Sequence, residues 1–438
     1  MPEPTRTAVV ISLGDELTLG QTLDTNSAWI SDRLTTLGVR ILEHVTVPDD
    51  FDAIADAIER FVGAADLIVT TGGLGPTADD LTRDVLAEVA GEDLVRDDEA
   101  LGWVRAWFQG RGREMPKGNE VQALRPRSAR CLRNDRGTAP GLVLRLGGRG
   151  GGGGGATDVV ALPGPPRELV PMFEREIGGI VRANPAFTIA VRTIPTFGLG
   201  ESSVAELLGE LMDRARNPMV GTTASRGVVT CRVRYEGPPA DAERALDDTE
   251  REIRGRLGAA VLRTGGAAES LVEVVLEVLR ARSQTLCTVE SCTGGMVGEE
   301  ITTPAGASDV YLGGFVTYSN ELKRALVGVP EALLDEHGAV SAPVAEAMAR
   351  GGLERTGADH ALAITGIAGP TGGTEDKPVG TVWVALASRG HERPDVRRFR
   401  FMGDRGNVRG WAARAALGML RLRVIGEDMA LLGEVERA

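Results

Sequence analysis

DLIVTTGGLGPTADDLTRDVLAEVA (residues 66–90) reads as a buried strand, a glycine-rich loop and a helix in immediate succession. DLIVTT (66–71) is aliphatic and short, which suits a strand; a helical pattern follows Ala78 and runs to about Ala90. The same grammar extends outward. Residues 7–12 read as a buried strand. Asn26 offers an N-cap and Gly38 a stop for a helix between them. VRILEHVTV (39–47) is a second strand, and FDAIADAIERFVGA (51–64) has helical periodicity. Strands alternating with helices require a mostly parallel, doubly wound sheet with helices on both faces. LVLRL (142–146) and DVVAL (158–162) flank GGRGGGGGGAT (147–157), a hairpin whose glycine-rich tip carries no functional signal.

Two further units follow. From about Ile180, GLGESSVAELL opens a helix. RGVVTCRVRYEG (226–237) alternates as a half-buried strand, and a helix runs from about Ala240 to Leu257. This is a small α+β module. The third unit starts near Ala267 and is again an α/β layered domain. It holds the helix ESLVEVVLEVLRAR, strands at 285–289, 311–318, 361–365 and 380–387, and a last helix from about Asn407. The expected boundaries are 1–178, 179–264 and 265–438.

The composition is that of a globular chain, with no run of about 18 apolar residues and no basic leader, so the expected setting is cytoplasmic. Four scattered cysteines form no CxxC pair and read as reduced structural thiols. A net charge of −13 argues against a nucleic-acid partner. Of 49 basic residues only Lys117, Lys323 and Lys377 are lysines. Where arginine is the default, a retained lysine marks a position where arginine does not serve, because only lysine can give up its proton.

ESCTGG (290–295) joins a strand to a helix, placing Ser291 at a helix N-terminus, whose unpaired N–H groups suit an oxyanion hole or a phosphate. A serine hydroxyl needs a base. VTYSNELK (316–323) supplies Tyr318, Asn320 and Lys323 at another strand end, and a desolvated lysine can serve. ITGIAGPTGGTEDKPVG (364–380) is a third glycine-rich loop, suited to a nucleotide. In the first unit, Gly72, Gly73 and Gly75 make an anion site. Asp79 and Asp80, read into the first helical turn, either favour the dipole or hold a divalent cation against a diphosphate. Asp15, Glu16, Asp24 and Asn26 lie at the end of the first strand. Lys117, Asn119, GTAPG (137–141) and LPGPPREL (162–169) add polar loops.

ESCTGG, GFVTYSNELK, GAVS (338–341), TGIAGPTGG and KPVGTVW (377–383) together resemble the nicotinamide-nucleotide amidase domain of the competence/damage-inducible protein A (CinA) family, over about 266–425. The resemblance implies hydrolysis of nicotinamide mononucleotide to nicotinate mononucleotide and ammonia, without a cofactor. Ser291 would be the nucleophile, paired with Lys323, and Tyr318 would stand beside them. Thr293, Gly294, Gly295, Thr365, Gly366 and Gly369 would line the substrate, and Arg405 would meet the phosphate. Residues 1–178 resemble the family's molybdopterin-binding-like domain, with Thr18 in GDELTLG where an aliphatic residue is commoner. That likeness implies a metal-dependent ADP-ribose pyrophosphatase, with Asp15, Asp79 and Asp80 as expected cation ligands. The middle resembles the family's KH-like module, and the family architecture implies a homodimer. Two rivals stand: an N-terminal domain that holds ADP-ribose or a pterin as a non-catalytic sensor, and a DNA-uptake accessory.

Overall fold

The computed structural model describes residues 6–147, 155–181, 186–225, 227–262 and 270–438. Residues 148–154 of the glycine-rich tip, and the expected start of the third unit near Ala267, lie outside them. The chain divides into two compact units, Met1–Val191 with Tyr235–Ala245, and Arg192–Arg234 with Leu246–Ala438.

The first unit is built on a six-stranded sheet in the order Val39–Val47, Arg6–Leu13, Leu67–Thr71, Thr157–Leu162, Gly141–Leu146, Arg130–Leu132. The first four strands are parallel and the last two antiparallel. Alternation along Arg6–Leu13 supplies both faces. Val9, Ile11 and Leu13 pack with Ile54, Ile58 and Leu86 on one side, and Ala8 and Val10 with Ile30, Leu34 and Phe173 on the other. The sheet is therefore doubly wound, as expected.

Three local expectations are corrected. The helix Thr25–Thr36 is capped by Asp24, whose carboxylate accepts from Ser27 N at 2.9 Å, and Asn26 is inside the first turn. The helix read over 51–64 spans Phe51–Glu59. The helix read from Ala78 starts at Thr82, so Asp79 and Asp80 belong to the loop before it. The loop persists because its own side chains satisfy its backbone. Asp80 accepts from Gly75 N at 2.6 Å and Thr77 N at 2.8 Å, and buried Arg83 donates to the carbonyls of Leu74 and Gly75 at 2.7 and 2.6 Å. Gly72 is required there: at φ +111° an added Cβ would lie 2.6 Å from the Leu13 carbonyl.

Thr188–Phe197, Met219–Ser225 and Val228–Gly237 form a three-stranded sheet with helices Glu201–Leu208 and Pro239–Leu257. The last sheet runs Tyr311–Val316, Leu286–Glu290, His360–Gly366, Thr381–Ser388, Asp395–Arg400, Glu434–Arg437. Its first three strands are parallel and the rest antiparallel. Leu286, Leu362 and Val384 pack against helices Leu271–Ala281 and Arg405–Ile425. Cys287, Val289 and Ala363 pack against Ala342–Thr356. All four cysteines are free and buried. Among the described residues no helix is long and apolar enough to cross a membrane.

Candidate active site

Ser291 follows the fully buried strand Leu286–Glu290, second from one edge of the sheet. The ends of both neighbouring strands are tied to it. Ser291 N donates to Ile364 O at 3.0 Å, and Thr317 N donates to Glu290 O at 2.7 Å. Thr317 starts the turn into the helix Asn320–Val327, capped by Ser319, and this turn returns Lys323 to the strand ends. Lys323 is 1% exposed; its Nζ lies 3.1 Å from Ser291 Oγ and 2.9 Å from the Thr317 carbonyl. Among the described residues it forms no ion pair. Burial, opposed by the Cys292 thiol, pushes its ammonium below its ordinary value of 10.5. Burial likewise pushes the Cys292 thiol up to about 12, so it stays protonated at neutral pH and does not compete with the adjacent serine.

The helix N-terminus behind Ser291 is not the open anion site that the sequence suggests. The helix Met296–Thr302 has Glu290 lodged at its start: one carboxylate oxygen accepts from Gly295 N and Val297 N at 2.9 and 3.1 Å, the other from Gly298 N at 2.9 Å. Glu290 is 2% exposed. A buried carboxylate on three amides at a helix start is well compensated, and those amides are not available to a substrate.

The other expected residues are distributed as follows. Gly294 and Gly295 both have positive φ in the turn after Ser291. Thr293 is fully buried, with no partner for its hydroxyl among the described residues. Thr365 Oγ1 donates to Ala339 O at 2.7 Å and so fastens the GAVS segment to a strand end, while Gly366 packs against Val382. Arg405 bridges the glycine-rich loop and the Tyr318 turn, donating to Gly369 O at 2.9 Å and to Tyr318 Oη at 3.0 Å. Tyr318 is exposed and takes Arg405 rather than Ser291 or Lys323. Arg409, one helical turn beyond Arg405, donates to Thr293 O at 2.6 Å. Arg409, Glu290 and Thr317 carry no mark in the sequence pattern beyond the i, i+4 spacing of Arg409 from Arg405.

The first unit has its own site at the carboxyl ends of the parallel strands, two adjoining clefts of about 360 and 380 Å³ that share Leu13, Glu16, Gly164 and Pro165. Gly72, Gly73, Gly75, Asp79 and Asp80 line the first, and Asn26 lines the second, donating to Gly164 O at 2.7 Å and Thr71 Oγ1 at 3.1 Å. Asp15 and Asp49 exchange backbone-to-carboxylate hydrogen bonds at 3.1 and 3.2 Å. Asp49, which the sequence reading did not single out, lines the first cleft. Its carboxyl is raised by burial and, against the Asp15 amide, by the carboxylates of Asp15, Glu16 and Asp79. Lys117 is exposed and does not line either cleft; Asn119 is buried behind Gln122.

Asp15, Asp79 and Asp80 are not assembled as a metal triad. Among the described residues no three acidic, histidine or cysteine side chains are grouped to hold an ion, and Asp80 is spent on its loop. Glu16, Asp49 and Asp79 line the first cleft without forming such a group.

Residues 9–183 match the family described as "Probable molybdopterin binding domain", 191–262 "Damage-inducible protein CinA KH domain", and 268–424 "CinA C-terminal domain". A relative named competence-damage inducible protein in Symbiobacterium thermophilum is 42% identical, covering 96% of this chain and 99% of its own. The chain belongs to the CinA family. A CinA-like protein of Dictyoglomus thermophilum is 37% identical, covering 94% of this chain and 98% of its own. Among solved structures, the competence damage-inducible protein A (ComA) of Klebsiella pneumoniae is 39% identical over 35% of this CinA chain and 95% of its own, at a TM-score of 0.34.

Proposed function

We propose that the C-terminal unit hydrolyses the carboxamide of nicotinamide mononucleotide by a Ser-Lys mechanism. The observation that carries this reading is the 3.1 Å approach of the buried Lys323 to Ser291 Oγ. Neutral Lys323 takes the Ser291 proton as Oγ attacks the amide carbon. The same proton is passed to the leaving nitrogen as the C–N bond breaks, releasing ammonia and leaving a nicotinoyl ester on Ser291. Lys323 then deprotonates a water, which cleaves the ester to the carboxylate and restores the serine. The Thr317 carbonyl, 2.9 Å from Nζ, holds the amine in line. Arg405 and Arg409 supply positive charge for the ribose phosphate.

For the first unit the proposal is a cation-dependent ADP-ribose pyrophosphatase, supported by the carboxylates gathered in its cleft. When bound, the cation would neutralise the diphosphate; the cleft carboxylates Glu16, Asp49 and Asp79 form no three-ligand set of their own, so phosphate oxygens would have to complete its shell. The family likeness adds a cytoplasmic homodimer to this reading. The test is parallel incubation with nicotinamide mononucleotide and ADP-ribose. Ser291→Ala should abolish ammonia release and leave ADP-ribose cleavage intact, and a chelator should do the reverse. Near-wild-type ammonia release by Ser291→Ala removes the nucleophile; loss of both activities to chelator ends the division of labour.

A further inference from the structure

The first cleft contains one buried polar group that the fold does not use. Gln122 is 2% exposed and lines the cleft, yet its Nε2 has no hydrogen-bond partner among the described residues. A buried donor left unpaired costs free energy, so its retention calls for a partner outside the chain. Its orientation is set from behind. The 3-10 turn Lys117–Ala123 puts Asn119 and Gln122 on one face, and Asn119 Nδ2 donates to Gln122 Oε1 at 2.8 Å. With Oε1 occupied, the amide presents its N–H₂ end.

The surroundings decide what that donor meets. Glu16, Asp49 and Asp79 offer acceptors only, and among the described residues no lysine, arginine or histidine lines the cleft. A ribose hydroxyl can donate to these carboxylates and has no need of Gln122. A phosphate oxygen is repelled by them and needs every donor within reach. Two glycine-loop amides are already spent, Gly72 N on Leu162 O and Gly75 N on Asp80. We propose that Gln122 is a specificity-determining residue of this cleft, positioned by Asn119 and donating its side-chain amide to a diphosphate oxygen of the bound nucleotide. This rests on the reading of the first unit as a nucleotide diphosphate site.

The experiment is calorimetric titration of the full chain with ADP-ribose, inorganic pyrophosphate and adenosine, each with Mg²⁺, alongside an assay of ADP-ribose cleavage. Gln122→Met removes the donor; Gln122→Glu removes it while keeping an acceptor for Asn119, so it guards against a folding defect in the first variant. Both should bind ADP-ribose and pyrophosphate at least about tenfold more weakly, with adenosine affinity unchanged. Equal weakening of all three ligands, or none, overturns the assignment, as does a wild type that binds neither phosphate ligand. Gln122-dependent binding of ADP-ribose without cleavage overturns the pyrophosphatase reading and leaves this one standing.

Discussion

The two glycine-rich strand-to-helix loops, TTGGLGPTADDLT and ESCTGG, look alike in sequence and are used differently. Each carries its own carboxylate on the amides that a bare loop would offer to an anion: Asp80 on Gly75 and Thr77, Glu290 on Gly295, Val297 and Gly298. In the first loop this delays the helix to Thr82 and leaves an acidic cleft lined by Glu16, Asp49 and Asp79. In the second it fixes a short turn, with Ser291 held between strand ends and a buried amine against it. A glycine-rich loop before a helix thus specifies close backbone approach, and the nearest carboxylate decides whether a ligand or the protein fills it.

The largest effect expected from probing this contrast is at Lys323. Lys323→Arg keeps the charge and cannot lose a proton, so ammonia release should fall by about 10²–10⁴-fold. In the wild type, kcat/KM should climb with pH as Lys323 deprotonates, through a limb below 10.5, and Lys323→Arg should lack that limb. The unfolded chain binds this proton more tightly than the folded one, so burying Lys323 costs most below its lowered pKa, and the cost fades as pH rises towards 10.5. Turnover within a few-fold of wild type would make Lys323 a substrate anchor.

Glu290→Gln comes next. The amide keeps the shape but cannot accept from all three N–H groups. Ser291 sits on the turn they hold, so kcat should fall by about 10- to 100-fold with KM little changed. Urea unfolding of the C-terminal unit should show a loss of about 2 kcal/mol. Unchanged kcat would mean that the turn holds its place without the carboxylate.

Much of this was legible in the sequence because it depends on local pattern. The strands at 66–71 and 285–289 are short aliphatic runs, and the Ser291–Lys323 pair was marked by the scarcity of lysine. What escaped depends on where a side chain points once distant segments meet. Glu290 stood inside a quoted motif, but nothing in its spacing says that it turns onto the helix start. Asp49 and Gln122 come from different loops that meet only at the end of a sheet. The start of the 82–90 helix was misplaced because Asp80 and Arg83 bond the loop backbone in place of another helical turn.

The smallest expected effect also separates a cation-binding role for Asp80 from a role in holding its own loop. As a cation ligand, Asp80→Asn would cut ADP-ribose cleavage by orders of magnitude, and added Mg²⁺ would restore part of it. If Asp80 is instead the staple of its loop, the same substitution removes only one acceptor: the amide oxygen can still take Gly75 N, while the amide nitrogen faces Thr77. The first unit should then lose about 1 kcal/mol, and the KM for ADP-ribose should rise a few-fold at nearly constant kcat. Raised Mg²⁺ should not help, because the loop rather than the ion has loosened. Buried Arg83 limits the damage, since it grips the carbonyls of Leu74 and Gly75 independently. A collapse in kcat that Mg²⁺ repairs would return Asp80 to the cation and show that the two loops differ less than their hydrogen bonds indicate.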